Sequence, residues 1–513
     1  HRVISHDLAA EVTRLRAVAE VAASGATEPA TPDAAAGPTG STRATGSDDP
    51  AAAHPAAAAS AAPPYAPETL AEAIRELLVR VPVYRPYVPP SGPATASDTA
   101  LLERAAEEAR RECAPELGPA LDFVRDLALG RTGVRLTAPG AAETPRSAAA
   151  QDFVNRFAQV ASALHAKSVE DAAFYRYVPL LSLCEVGRDP GRPGVAPEEF
   201  HAYCERVARD RPGTGTVLST HDTKRSADLR LRLAVLSERP EEWRRWIGER
   251  PARAAALGCP PAPDRHTEYT VFQTTVGLGS YDSDRLVPAT LKAVREAGLH
   301  TTWTEQDEAY EKAVADFTDH GPCGAQADDV AAFAGTLRPY AAANTLGAAL
   351  LHLTMPGVPD VYQGTEWPVY TLVDPDNRGP MAEPRDAVLR GLLEGAQPSD
   401  PGEAKLRLTA VALRLRRDHP EWYGPAAGYT PLAADGPAAE HCVAFVRGGG
   451  ALTVVTRLSR RLEEAGGWRD TALTLPPGHW HDRLTGTRYE GRVPLADLLS
   501  HSPVALLTAE SAL

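Results

Sequence analysis

The stretch TGTVLSTHDTKRSADLRLRLAVL, Thr214 to Leu236, changes its period in the middle, and that change decides the fold. A β-branched and apolar run, Thr216 to Thr220, reads as a short buried parallel strand. His221, Asp222, Thr223, Lys224 and Arg225 follow where that strand must end. Ser226 stands at an N-cap position, Asp228 favours a first helical turn, and Leu229, Leu233 and Leu236 recur on one helical face. Strand, charged loop and amphipathic helix make the repeating unit of an α/β fold, in which functional groups collect at the carboxyl ends of strands. An imidazole, a carboxylate, an ammonium and a guanidinium crowded at such an end are costly to bury unless they pair or grip a ligand. The competing reading of His221-Asp222 is a helix-capping cluster with solvated charges.

With 513 residues the chain is long enough for two or three domains and a large core. Its formal net charge of -14 gives no support to a nucleic-acid or anionic-membrane partner and suits a neutral sugar. No apolar run approaches the roughly 20 residues of a membrane span, and no signal peptide opens the chain, so a cytoplasmic location is expected. The six cysteines are scattered without CxxC spacing, which argues against a zinc site and a disulfide scaffold. The first residue is His1 and the two methionines are Met355 and Met381, the pattern expected of a piece of a longer polypeptide.

The phrase STHDTKRSAD, residues 219 to 228, resembles the fourth signature region of the α-amylase superfamily of glycoside hydrolases, family 13, in the version carried by maltooligosyl trehalose synthases. Two further blocks carry the resemblance. AKSVEDAAFYRYVPLLSLCEVGRDP, residues 166 to 190, is similar to a family phrase in which Lys167, Glu170, Asp171, Tyr175 and Arg176 match, while Ser168, Cys184 and Arg188 replace an expected Gly, Asn and Gly. A side chain placed where a turn needs a left-handed glycine costs about 1–2 kcal/mol. NTLGAALLHLTMPGVPDVYQGTEWPVYTLVDPDNRGP, residues 344 to 380, joins an apolar strand-like run and a Pro-Gly turn to a loop holding Tyr362, Gln363, Glu366, Asp374, Asp376, Asn377 and Arg378. Carboxylates and planar cations suit a sugar, whose hydroxyls need both acceptors and bidentate donors. The alternative is a solvated charged loop.

The resemblance implies the C-terminal part of a (β/α)8 barrel with helical insertions, closed by an antiparallel β-sandwich. It divides the chain into a helix of the preceding barrel region (1–24), a low-complexity disordered linker (25–64), a helical insert (65–150), the second part of the barrel with a helical subdomain (151–425) and a C-terminal β domain (426–513). The linker also follows from composition: Ala, Pro, Thr, Gly and Ser dominate, and such a stretch buries too little apolar surface to order itself. Between the blocks, EYTVFQTTVG and LKAVREAGLHTTWTEQDEAYEKAVADF resemble family phrases through Gln273, His300, Thr301, Trp303 and Tyr310, a cluster readable either as a remote wall of the sugar site or as a packing corner. Tyr84, Arg85 and Tyr87 read as packing and surface.

By the same resemblance Asp222 is the transition-state stabiliser and His221 a sugar ligand. Lys224, Arg225, Lys167, Glu170, Asp171, Tyr175, Tyr362, Glu366, Asp374, Asp376, Asn377 and Arg378 are the implied substrate contacts. The implied reaction converts the reducing-end α-1,4 bond of a maltooligosaccharide to α,α-1,1, on maltooligosaccharides or other α-1,4-glucan derived from glycogen, with no metal or other cofactor and with a maltooligosyl trehalose trehalohydrolase acting next. The G-x-R-x-D phrase of the family's nucleophile and a strand bearing its acid are not found, so this chain alone is expected to be inactive. The alternatives are a related amylase or 4-α-glucanotransferase, and an inactive glycan-binding remnant.

Overall fold

The computed structural model describes residues 1–24, 65–131, 146–279, 282–380 and 385–510. The low-complexity linker assigned to residues 25–64 lies outside them. The chain divides into two compact units, His1–Asp171 and Ala172–Leu513.

The first unit is helical: α1 (Ala9–Ser24), α2 (Pro67–Leu78), α3 (Ala96–Glu112), α4 (Gly118–Ala128) and α5 (Ala148–His165). Local chemistry starts each segment where it begins. Pro67 opens α2, where a missing N–H costs nothing, and the Thr95 and Ser147 side chains accept the Asp98 and Ala150 amides at the starts of α3 and α5. Leu70, Ile74 and Leu77 of α2 lie three and four residues apart and meet Leu15, Leu102, Leu121, Phe153 and Phe157 in one core. After α5 the chain runs through a π-helical stretch, Ala166–Ala173.

In the second unit, α6 (Pro197–Asp210) delivers the chain to β1 (Gly215–Val217), and α7 (Ala227–Ala234) follows. The strand is shorter than Thr216–Thr220 and is not buried: Val217 is 53% exposed. It stops at Val217 because the next backbone and side-chain groups are taken elsewhere. The Leu218 carbonyl accepts from Arg230, and Ser219 Oγ accepts the Ala227 amide. In α7, Leu229 and Leu233 are fully buried, with Leu236 just beyond, as the periodicity requires. Each such leucine contributes roughly 1.5–3 kcal/mol.

Four helices, α8 (Pro240–Leu257), α9 (Arg265–Leu278), α10 (Ser283–Ala297) and α11 (Glu308–His320), lead to the long α12 (Ala327–Thr354). The apolar run 344–354 therefore closes a helix and is not a strand. Leu and Ala favour helix strongly enough to carry it through Gly347 as far as Met355-Pro356-Gly357. Only then does β2 (Val358–Asp360) begin, pairing parallel with β1 in the register Gly215↔Val358 and Val217↔Asp360. Gly357 is required there: its φ is +114° and an added Cβ would stand 2.8 Å from the Thr214 carbonyl oxygen.

After α13 (Pro401–Asp418) the tail forms one curled antiparallel sheet of seven strands. They are β3 (Tyr429–Leu432), β4 (Ala434–Asp435), β5 (Cys442–Arg447), β6 (Ala451–Thr456), β7 (Ala472–Asp482), β8 (Arg488–Pro494) and β9 (Val504–Ala509). Their order is β3-β5-β6-β9-β7-β4, with β8 on β7. Alternate residues face two different cores: Val443, Val455 and Leu506 pack with Leu346, Leu350 and Leu408 of α12 and α13, while Ala444, Val454 and Leu507 pack with Leu473 and Trp480. A sheet covered on both faces explains why CVAFVR and ALTVVT lack polar alternation.

Candidate active site

The loop carrying His221 and Asp222 leaves β1 with both side chains exposed and the following residues buried. Glu185, only 3% exposed, lies against the buried side of the loop. Its carboxylate accepts the amides of Lys224 (3.0 Å) and Arg225 (3.2 Å), with Val186 N–H at 2.9 Å, and pairs with Arg230 Nη1 at 2.9 Å. On another side Asn377 Nδ2 donates to the carbonyls of His221 (2.9 Å), Thr223 (3.3 Å) and Thr220 (3.4 Å). The helix start is stitched to the segment after β2. Ser226 N–H donates to the Thr371 carbonyl at 2.9 Å, and Ser226 Oγ takes the Thr371 amide and donates to the Val369 carbonyl. Thus Ser226 occupies the N-cap position but makes no side-chain cap bond; its hydroxyl is spent across the fold.

Beneath this, Asp228 is 2% exposed, accepts the Val369 amide at 2.8 Å and pairs with Lys405 of α13 at 2.8 Å. Lys224 and Arg225 are buried, and Lys224 Nζ stands 5.7 Å from the centre of the Tyr175 ring. The loop is therefore over-determined, which fixes the His221-Asp222 backbone while leaving the two side chains in solvent.

The loop after β2 is itself internally bonded. Asp376 takes a two-pronged contact from Arg285 (2.8 and 2.9 Å) and the Leu372 amide. Burial would raise the Asp376 carboxyl, but these hydrogen bonds prevail and hold it below the usual carboxylate range. Asp374 pairs with Arg378 on the exposed surface, and its carbonyl accepts from Lys292. Glu366 pairs with Arg385, and Tyr362 Oη donates to the Asn377 carbonyl. A cavity of about 350 Å³ lies among Thr220, Thr223, Ser226, Tyr362, Tyr370 and Asn377. His221 and Asp222 do not line it.

So the second unit brings together His221, Asp222, Lys224, Arg225, Tyr175, Tyr362, Asp376 and Asn377, with Glu366, Asp374 and Arg378 further along the same loop. Lys167, Glu170 and Asp171 belong to the first unit, where Lys167 pairs with Asp171 at 2.6 Å and Glu170 accepts from Tyr84 Oη. The departures at the second block strain nothing. Ser168 and Arg188 do not adopt positive φ; Gly187, at +76°, meets that demand, and Ser168 Oγ donates to the Leu164 carbonyl. Cys184 is buried, and desolvation pushes its thiol up to about 11. Gln273, fully buried, receives the Leu181 amide and donates to the Val178 carbonyl.

Sequence reasoning missed Glu185 as the clamp, together with Arg230, Asp228, Lys405 and Arg285. Glu185 did leave a signal: a lone carboxylate in the apolar phrase SLCEVG must be buried and partnered. The others left none, because their partners lie far away in sequence. Among the described residues no cluster of three or more His, Cys, Asp and Glu is suited to hold a metal, and no helix is long and apolar enough to cross a membrane.

No family model matches the chain. A curated protein of Mycobacterium tuberculosis bearing the name "Putative maltooligosyl trehalose synthase" is 42% identical over 364 residues, covering 70% of this chain and 46% of the relative. Solved maltooligosyltrehalose synthase from Arthrobacter ramosus superposes with a TM-score of 0.73 at 35% identity, over 86% of this chain and 54% of that one. A hypothetical maltooligosyl trehalose synthase of Sulfolobus tokodaii gives 0.62 at 25% identity, over 86% and 53%. The chain spans about half the length of the relatives it matches. In sequence and in fold the chain is therefore similar to maltooligosyl trehalose synthases over the part of their length that it spans.

Proposed function

We propose that this chain supplies one catalytic carboxylate and much of the sugar-binding wall for an intramolecular transglucosylation. In this reading β1 and β2 are neighbouring strands late in a (β/α)8 barrel of glycoside hydrolase family 13, and the curled tail is its closing β-sandwich domain. The reaction breaks the C1–O4 bond at the reducing end of an α-1,4-glucan and forms an α,α-1,1 bond to the released glucose, consuming no water. Such retaining chemistry needs a nucleophilic carboxylate and a protonated acid roughly 5–5.5 Å apart. Neither is assigned to a residue of this chain.

The observation that carries the reading is the clamped loop: Glu185 and Asn377 hold the backbone of residues 220–225 while His221 and Asp222 face solvent. A fixed, exposed carboxylate at a strand end suits an oxocarbenium-like transition state, because its negative charge is in place before positive charge develops on the sugar. His221 donates to a sugar hydroxyl beside it. Lys224, Arg225 and Tyr175 shape the loop from behind, and Tyr362, Glu366, Asp374 and Arg378 form the facing wall. The substrate is a maltooligosaccharide, the location cytoplasmic, no cofactor takes part, and the product passes to a trehalohydrolase.

Maltohexaose tests this directly. The 513-residue chain is expected to bind it without changing the number of reducing ends. New reducing ends would favour the amylase alternative, loss of reducing ends would mean that the chain carries a complete catalytic set, and absence of binding would refute a glucan site altogether.

A further inference from the structure

The loop that leaves α10 holds two aromatic side chains rigidly in solvent. Trp303 is 51% exposed, yet its indole is locked. Nε1 donates to Glu296 at 3.0 Å, and the Arg295 guanidinium lies 5.0 Å from the ring centre, itself gripped by Glu311 at 2.6 and 2.9 Å. His300 lies tilted against Tyr310, the ring centres 4.6 Å apart and the planes 31° from parallel, and Tyr310 Oη is tied to Asp264 at 2.7 Å. Leu299, between α10 and His300, is 48% exposed. These contacts fix the orientation of the ring and still leave half of its surface in water. That order lowers the entropy cost of a later stacking partner.

The position of this loop connects it to the site. Arg285, Lys292 and Glu296 are seven and four residues apart and therefore share one face of α10. The first grips Asp376, the second the Asp374 carbonyl, and the third the Trp303 indole. With a helix rise of 1.5 Å per residue, Glu296 stands roughly 6 Å along the axis from Lys292 and roughly 16 Å from Arg285. One helix face thus supports both the loop after β2 and the aromatic pair. The chemistry around the ring selects the ligand. Glu296, Glu305, Asp307 and Glu308 surround it in sequence and disfavour a phosphate-bearing partner. A neutral pyranose presents C–H groups to the indole face and hydroxyls to acceptors and donors at its rim.

We propose that Trp303, with His300 beside it, is a stacking platform for the part of an α-1,4-glucan chain that extends beyond the catalytic loop. The proposal rests on the glucan reading of the site and adds a second point of attachment to it. Maltoheptaose binding by the whole chain, measured by titration calorimetry, tests it. Trp303→Ala should weaken binding about tenfold while lowering the melting temperature only slightly, since the contacts it loses to Glu296 and Arg295 are at the surface, and Trp303→Phe should restore most of the affinity. Affinity of Trp303→Ala within twofold of the parent overturns the platform and leaves the glucan site standing. An equal loss for cellohexaose, whose β-linked chain is straight, overturns the α-glucan assignment. A parent chain that binds no maltoheptaose overturns both.

Discussion

Replacing Glu185 by Gln keeps the size of the side chain and removes its charge. In the parent the carboxylate is 4% exposed, takes three backbone amides and faces Arg230, whose side chain is 15% exposed. Removing one member of a buried ion pair costs about 3–5 kcal/mol, because the remaining charge stays out of water without a partner. Arg230 keeps a second contact, to the Leu218 carbonyl, and retains some solvent, so the lower end, about 3 kcal/mol, is expected. The loss should be local before it is global. Exchange of the Lys224 and Arg225 amides with deuterium reports the opening of this loop, and about 3 kcal/mol corresponds to roughly a hundredfold faster exchange at about 1.4 kcal/mol per factor of ten. Glu199→Gln, which breaks an exposed pair with Arg192, is the control and should change neither amide. Acceleration below about fivefold, under 1 kcal/mol, would refute the clamp and with it the account of how His221 and Asp222 are held.

Lys405→Met should destabilise by about 3–5 kcal/mol in urea unfolding, since Asp228 would keep a buried charge, and adding Asp228→Asn should recover part of the loss. Asn377→Ala leaves three loop carbonyls without their donor; a cost of about 1–3 kcal/mol and weaker maltohexaose binding with an unaltered circular dichroism spectrum are expected. Burial holds the His352 imidazole below its ordinary pKa, although its bond to the Thr216 carbonyl acts the other way, so the unfolded chain binds the proton more readily. Stability should therefore fall as pH drops below about 6.5, and His352→Gln should flatten that slope in melting temperature measured between pH 7 and pH 5. Asp376 has the opposite balance, with the folded carboxyl depressed. Its contribution is present above the unfolded value of about 3.9 and is lost as pH falls through the folded one, so Asp376→Asn should remove part of the acid sensitivity of unfolding below about pH 4.

What was legible in the sequence was what local pattern encodes. The helical face of Leu229, Leu233 and Leu236 needed no partner to be seen, and neither did the breaks that divide the tail into strands. Residues 344–354 were misread because eleven residues without charge fit a buried strand and a buried helix alike. Length was the better guide: a run continuous with the Ala-rich segment before it extends to 28 residues, far beyond a strand. The buried character assigned to β1 was misread for a related reason, since β-branched residues show that a segment suits a strand and say nothing about what covers it.

The site divides along the same line. His221-Asp222 was visible as crowded charge at a strand end, whereas the groups that fix its geometry come from residues 36 and 155 positions distant or more. Glu185, Asn377 and Lys405 meet the loop and its helix only in the folded chain, where β1 and β2 are paired. This distance explains why several residues read as substrate contacts have internal duties. A buried amide such as Asn377 has two donor hydrogens and must satisfy them, and three loop carbonyls offer nearer partners than any sugar. Asp376 and Arg285 obey the same logic, each neutralising the other as the loop closes. Charge in a sequence marks a place where something must be paired. Only the folded chain decides whether the partner is a substrate or another part of the wall, and here the pair His221-Asp222 and the ring of Trp303 are among the groups left exposed.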